Sequence, residues 1–116
     1  MPLNHVALTV SDREQSAAFY GQHFDLRERV LDDGHLLILG SQDGSLLALS
    51  QGIVPRELPR TNHFGFQLAG PDEVRAARER LRDADVPETE WQDDSGFVRV
   101  QIVDPDGYRV ELFAYS

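Results

Sequence analysis

The chain has 116 residues, of which 41% are hydrophobic and 27% are charged, the composition of one small folded domain. It contains no cysteine, so disulfides and thiolate nucleophiles are excluded, and any metal must be held by histidine and carboxylate. Its net charge of −9, with 11 arginines and no lysine, would repel a polyanion, so we expect no nucleic-acid partner.

The first residues, Met1–His5, lack the basic and apolar regions of a signal peptide. No apolar run approaches the roughly 18 residues that a membrane span requires. We therefore expect a cytoplasmic protein without a membrane partner. A soluble surface is the simplest explanation of the acidic charge, and a preference for cationic ligands is the sharper alternative.

The chain contains an internal repeat. Residues 4–12 (NHVALTVSD) are echoed 58 positions later by residues 62–70 (NHFGFQLAG), and residues 43–49 (DGSLLAL) are echoed 63 positions later by residues 106–112 (DGYRVEL). Such self-similarity indicates two copies of one structural unit. We predict a single domain, 1–116, built from modules at about 1–50 and 60–116, with a linker at 51–60.

Each module shows the same order of predicted elements. In the first, a strand of alternating residues precedes a capping box at Ser11–Glu14, which begins a helix, and strands follow near 26–31, 35–40 and 45–50. In the second, a strand precedes a helix that starts at Pro71, and strands follow near 86–92, 97–103 and 108–114. The apolar residues of this second helix recur at helical spacing: Val74, Ala77, Leu81 and Ala84. The plan is βαβββ twice, an α+β fold.

Alternation along the strands predicts which side chains face away from the helices. The faces opposite the helices carry His5 and His63 at equivalent positions of the repeat, and Glu111 where the first module has Ala48. A lone histidine or glutamate is more often a hydrogen-bonded structural residue, but this symmetry favours ligation. Three such ligands leave positions open on a divalent ion, as a catalytic metal requires. We predict a metal site of His5, His63 and Glu111, with Ala48 at its empty fourth position.

The sequence resembles the vicinal oxygen chelate (VOC) superfamily. This superfamily includes glyoxalase I, methylmalonyl-CoA epimerase, extradiol dioxygenases, fosfomycin-resistance thiol transferases and bleomycin-binding proteins. The resemblance covers essentially the whole chain and is carried by residues 4–12, Ser16, Phe19–Tyr20, 62–66 and 104–112. It implies the glyoxalase/bleomycin resistance/dihydroxybiphenyl dioxygenase-like fold, a curved mixed sheet around a cleft. Modules of this kind expose sheet edges that need covering, so we expect a homodimer. The resemblance implies a site formed either within one chain or across the dimer.

The resemblance implies a metal-dependent enzyme that binds a small molecule through adjacent oxygens, with Fe(II), Mn, Zn, Ni or Co as the metal. Ala48 replaces the fourth ligand of glyoxalase I and the epimerase, and Gln101 replaces a tyrosine of the dioxygenases and fosfomycin enzymes. Dioxygenase, lyase and transferase activities therefore stay open, and the alternative is sequestration of a drug without catalysis. The catalytic candidates are Glu111 and Gln101. The candidates for contact with the substrate are Thr9, Ala48, Gln67, Arg99, Gln101 and Arg109.

Overall fold

The computed structural model describes residues 1–116 and follows the predicted order of elements in both modules. The first module contains β1 (His5–Val10), α1 (Arg13–Phe24), β2 (Glu28–Asp32), β3 (Leu36–Gly40) and β4 (Leu46–Gln51). The second contains β5 (Phe64–Gln67), α2 (Pro71–Asp83), β6 (Glu88–Asp94), β7 (Phe97–Val103) and β8 (Arg109–Tyr115). Neither helix is long and apolar enough to cross a membrane.

The chain divides into two compact units, Met1–Arg56 and Glu57–Ser116, and the division falls inside the segment predicted as a linker. Each unit contains one four-stranded mixed sheet. The N-terminal sheet has the order β1-β4-β3-β2 and the C-terminal sheet the order β5-β8-β7-β6. In each sheet the first pair of strands is parallel and the other pairs are antiparallel. The hydrogen-bonded strands thus form two sheets of four, one in each unit.

The strand registers of the two sheets match the repeat in the sequence. Ala48 on β4 pairs with Ala7 on β1 and with Ile38 on β3. At the equivalent positions, Glu111 on β8 pairs with Gly65 on β5 and with Gln101 on β7. Ala48 and Glu111 therefore occupy the same place in their respective sheets, as the sequence repeat indicates.

The core of the first unit lies between α1 and one face of the N-terminal sheet. From the helix it receives Ser16, Tyr20 and Phe24, which recur every four residues, and from the sheet it receives Val10, Leu37, Leu39, Leu47 and Leu49. The helix is capped by Asp12, whose carboxylate accepts hydrogen bonds from the backbone N–H groups of Glu14 (3.0 Å) and Gln15 (3.1 Å). The capping box predicted from Ser11 is therefore wrong by one residue.

The core of the second unit lies between α2 and one face of the C-terminal sheet. It contains Val74, Ala77 and Leu81 from the helix and Val98, Val100, Ile102, Val110, Leu112 and Ala114 from β7 and β8. Ala84, predicted to continue the apolar stripe of the helix, is instead the exposed C-cap residue. Because the core residues alternate along β7 and β8, the intervening side chains lie on the opposite face of the sheet.

Candidate functional site

The open face of the C-terminal sheet is the face that points away from α2. Cross-strand pairing places two rows of side chains on this face: Gly65, Glu111, Gln101 and Glu90 in one row, and Gln67, Phe113, Arg99 and Gln92 in the next. Glu111 lies near the middle of the first row, and only 12% of its side chain is exposed. A carboxylate in this position is held by its neighbours and does not extend freely into water.

His63 lies immediately before β5 and faces Glu111. Its Nδ1 lies 3.0 Å from the backbone oxygen of Thr61, which can only accept, so Nδ1 carries the proton and donates. The lone pair of the ring is then on Nε2, which lies 3.9 Å from Oε2 of Glu111. This tautomer is the one in which His63 can bind a cation through Nε2.

The geometry of this pair suits a divalent metal. Nitrogen and oxygen ligands bind such ions at about 2.0–2.2 Å, so two ligand atoms of one ion lie at most about 4.4 Å apart. The 3.9 Å between His63 Nε2 and Glu111 Oε2 is within that limit. Neither unit by itself brings three or more histidine, aspartate or glutamate side chains together as a metal site. Of the three predicted ligands, the second unit contains two, His63 and Glu111, and brings them close together.

The third predicted ligand, His5, belongs to the first unit, where it is the exposed first residue of β1. Its Nδ1 lies 3.0 Å from Oδ1 of Asn4. An amide oxygen accepts, so Nδ1 is again the protonated nitrogen and Nε2 again carries the lone pair. Two candidate residues share the face of His5: Thr9, exposed on β1, and Ala48, half-buried on β4.

Arg99 is bound to other residues of the open face. Its guanidinium donates to Glu111 Oε1 (2.9 Å), to Glu90 Oε1 (3.3 Å) and to Gln92 Oε1 (3.1 Å). Burial acts to lower the pKa of Arg99, but the hydrogen bonds to Glu90 and Glu111 outweigh it, and the pKa is raised above its usual value. The hydrogen bond from Arg99 also lowers the pKa of Glu90. This residue, predicted to bind substrate, thus already carries three protein acceptors.

Gln101 lies two residues along β7 from Arg99, on the same face of the sheet, and is almost fully buried. Its side-chain oxygen accepts a hydrogen bond from the hydroxyl of Thr89 (3.0 Å), which leaves the amide nitrogen as the donor end of the side chain. Gln101 pairs with Glu111 across β7 and β8, so the two catalytic candidates are neighbours.

The two remaining candidates lie at the end of β5 and at the start of β8. Gln67 is exposed at the end of β5. Arg109 is half-buried at the start of β8 and donates to the backbone oxygen of Pro59 (3.1 Å). Neither side chain is part of the Arg99 cluster, which comprises Arg99, Glu111, Glu90 and Gln92.

Two members of the Arg99 cluster, Glu90 and Gln92, were missed by the sequence analysis. A β-bulge between Glu88 and Glu90 explains why. Strict alternation would place these two glutamates on the same face, but the extra residue sends Glu88 to Arg78 on α2 (2.7 Å) and Glu90 to Arg99. The polar residues at 88, 90 and 92 were a usable signal, but the bulge could not be located from them.

Comparison with solved structures finds the same fold. The genomically encoded fosfomycin resistance protein FosX from Listeria monocytogenes is 23% identical, with a TM-score of 0.84 and coverage of 100% of this chain and 94% of the other. Lactoylglutathione lyase from Agrobacterium tumefaciens is 25% identical, with a TM-score of 0.77 and coverage of 97% and 92%. The E126Q mutant of FosX, complexed with Mn(II) and 1S,2S-dihydroxypropylphosphonic acid, has 23% identity, a TM-score of 0.81 and coverage of 96% and 87%.

Comparison with curated proteins gives no significant match. The family model described as the Glyoxalase/Bleomycin resistance protein/Dioxygenase superfamily matches residues 2–112, nearly the whole chain. The two βαβββ units, their matching registers and the similarity to FosX agree with this match. The chain therefore belongs to the Glyoxalase/Bleomycin resistance protein/Dioxygenase superfamily.

Proposed function

We propose that this protein is a divalent-metal-dependent enzyme that acts on a small molecule bound to the metal through two adjacent oxygens. The proposed ligands are His5, His63 and Glu111. The observation that carries the proposal is the 3.9 Å approach of His63 Nε2 to Glu111 Oε2, with Nδ1 of the histidine held by a backbone oxygen. A histidine fixed in this way presents a lone pair to the space in front of the carboxylate.

Two solved structures support an enzymatic reaction, and one of them also supports a bound metal. The E126Q mutant of FosX is complexed with Mn(II) and 1S,2S-dihydroxypropylphosphonic acid, whose two hydroxyl groups are on adjacent carbons. Lactoylglutathione lyase, at 25% identity, is an enzyme of the same fold. By analogy, this chain would take Mn(II) or a similar ion and a substrate with neighbouring oxygens.

The metal, when bound, would stabilise negative charge that develops on a substrate oxygen. The protein residues supply the surroundings of that oxygen. The amide nitrogen of Gln101, whose oxygen accepts from Thr89, would donate to the substrate. Thr9 and Gln67 add polar groups on the edge strands β1 and β5, and Arg109 adds one at the start of β8. Ala48 leaves the fourth ligand position open for substrate or water.

The proposal requires His5 to meet the pair formed by His63 and Glu111. This can happen within one chain or between the two chains of a homodimer. Both arrangements use the same three side chains, so the ligand assignment does not depend on which of them occurs.

Mn²⁺ titration by calorimetry tests the ligand assignment. We expect wild-type protein to bind about one ion per chain, and His63→Ala, His5→Ala and Glu111→Ala to weaken binding at least about 10-fold while the circular dichroism spectrum is retained. His35→Ala is the matched control, because it also removes a histidine, but one that lies in the turn after Asp33 and is not a proposed ligand. Unchanged affinity in His63→Ala would show that the assignment is wrong. A protein that binds no metal but binds a cationic antibiotic would instead support drug sequestration.

Mixing two variants that each lack one proposed ligand distinguishes a site within one chain from a site shared between two chains. The quantity measured is the number of Mn²⁺ sites per chain. His5→Ala and His63→Ala chains are denatured and refolded together. If each site takes His5 from one chain and His63 from another, random pairing into dimers restores about a quarter of the sites. If the site forms within one chain, no Mn²⁺ site is restored.

A further inference from the structure

The two oxygens of Glu111 have different neighbours. Oε1 accepts a hydrogen bond from Arg99 Nη1 at 2.9 Å, whereas Oε2 faces His63 Nε2 at 3.9 Å. Arg99 approaches from β7, and His63 precedes β5, on the other side of β8. One oxygen is thus committed to the protein, and the other is directed at the second predicted ligand.

Arg99 is itself fixed in this orientation. Its Nη2 donates to Glu90 and its Nε to Gln92, both on β6, while Nη1 reaches β8. Only 22% of its side chain is exposed. A planar guanidinium with acceptors on two neighbouring strands has little rotational freedom, so it holds Oε1 of Glu111 in place.

We infer that Arg99 is a positioning residue that makes Glu111 a metal ligand through one oxygen only. The inference rests on the proposed function, because it concerns how one of the proposed ligands is presented. With Oε1 engaged by Arg99, Glu111 contributes one bond, and each histidine contributes one. An ion with about six positions then keeps three open, enough for two adjacent substrate oxygens and a water.

The same contacts argue against Arg99 as a binding site for a substrate anion. Its charge is matched by the carboxylates of Glu90 and Glu111, which it contacts directly. A substrate anion would have to displace one of these carboxylates, and displacing Glu111 would remove a ligand. Arg99 therefore acts through Glu111 and does not contact the substrate.

Arg99→Lys separates positioning from charge, because lysine keeps the positive charge but lacks the planar fork. We expect Arg99→Lys to weaken Mn²⁺ binding by about 10- to 100-fold, as loss of a group that orients a metal ligand does. We also expect the d–d absorption of bound Co²⁺ to change, since Glu111 is then free to bind through both oxygens. Arg75→Lys is the matched control: Arg75 also contacts two carboxylates, Asp93 and Asp72, but bridges α2 to β6 outside the open face.

The outcomes are distinct. An Arg99→Lys protein with wild-type Mn²⁺ affinity and a wild-type Co²⁺ spectrum would overturn the inference while His63→Ala still supported the proposed function. A wild-type protein without a Mn²⁺ site would overturn both. If Arg99→Lys does not fold, Glu90→Gln is measured in the same way. It retains Arg99 but weakens the contact to β6, so a shifted Co²⁺ spectrum is expected and an unshifted one overturns the inference.

Discussion

Gly65 and Glu111 are side by side on the parallel strands β5 and β8, and a side chain at position 65 would be in tight contact with Glu111. A Cβ atom there would lie 3.0 Å from the backbone oxygen of Glu111 and 3.2 Å from its Cβ. In the N-terminal sheet the equivalent pair is Ala7 and Ala48, where a methyl group is present on both strands. The glycine at this position is therefore particular to the sheet that carries the carboxylate.

Gly65→Ala is expected to displace the backbone of Glu111. Because the crowding involves backbone atoms, which cannot rotate away, we expect a loss of about 1–3 kcal/mol in the free energy of unfolding and weaker Mn²⁺ binding. Urea denaturation and calorimetry measure these two effects. Gly96→Ala is the control, since a Cβ at position 96 meets nothing within 4 Å, and its effect should stay within about 0.5 kcal/mol. If Gly65→Ala has the stability and the Mn²⁺ affinity of the wild type, the expectation that crowding displaces Glu111 is wrong.

Ala48→Glu places a carboxylate at the position in the N-terminal sheet that corresponds to Glu111. If Ala48 occupies the open ligand position, the variant should bind Mn²⁺ more tightly and lose any activity that needs an open position. Ser50→Glu adds the same charge two residues along the same strand and face, so it controls for a general electrostatic effect. Equal Mn²⁺ affinities in wild type, Ala48→Glu and Ser50→Glu would contradict the assignment of Ala48.

The turn between β2 and β3 predicts a dependence of stability on pH. Asp33 accepts hydrogen bonds from the backbone N–H groups of Leu36 (2.7 Å) and His35 (2.9 Å), and these bonds lower its pKa. Because the folded-state pKa lies below the unfolded value of about 3.9, the stabilisation is fully present above that value and is lost as the pH falls through the folded-state pKa.

Asp33→Ala should therefore lower the melting temperature at pH 7, and the difference from wild type should shrink as the pH falls below about 4. Thermal denaturation across this pH range measures the effect. Glu57→Ala, an exposed position in the segment between the last strand of the first unit and the first of the second, serves as the control. A difference that does not change with pH would show that Asp33 stabilises the turn without its charge.

The exposed edge strand β2 predicts self-association. β2 is an edge strand with all five residues exposed, and it includes Val30 and Leu31 with 52% and 42% exposure. Unpaired strand edges and exposed apolar side chains favour pairing with another chain. We expect a homodimer at micromolar concentration, measured by sedimentation velocity. A species of 13.1 kDa, the mass of one chain, would contradict this.

The order of elements and the faces of the strands were predictable because they depend on local periodicity. Alternation along β8 placed Val110 and Leu112 towards the helix and Glu111 on the opposite face, and the structure agrees. The repeat offsets also predicted the equivalence of Ala48 and Glu111, because two similar segments adopt the same strand register. The sequence analysis thus selected Glu111 and His63, which the structure brings together.

Only the tertiary structure decided what surrounds these two residues. The contacts of Arg99 join β8, β7 and β6, and which side chains meet there depends on the bulge between Glu88 and Glu90. A bulge is set by how a strand fits its neighbour, so one strand's alternation cannot locate it. The tautomer of His63 likewise depends on the position of the Thr61 carbonyl. The sequence by itself determined the candidate ligands, and non-local pairing of the strands determined how Arg99 holds one of them.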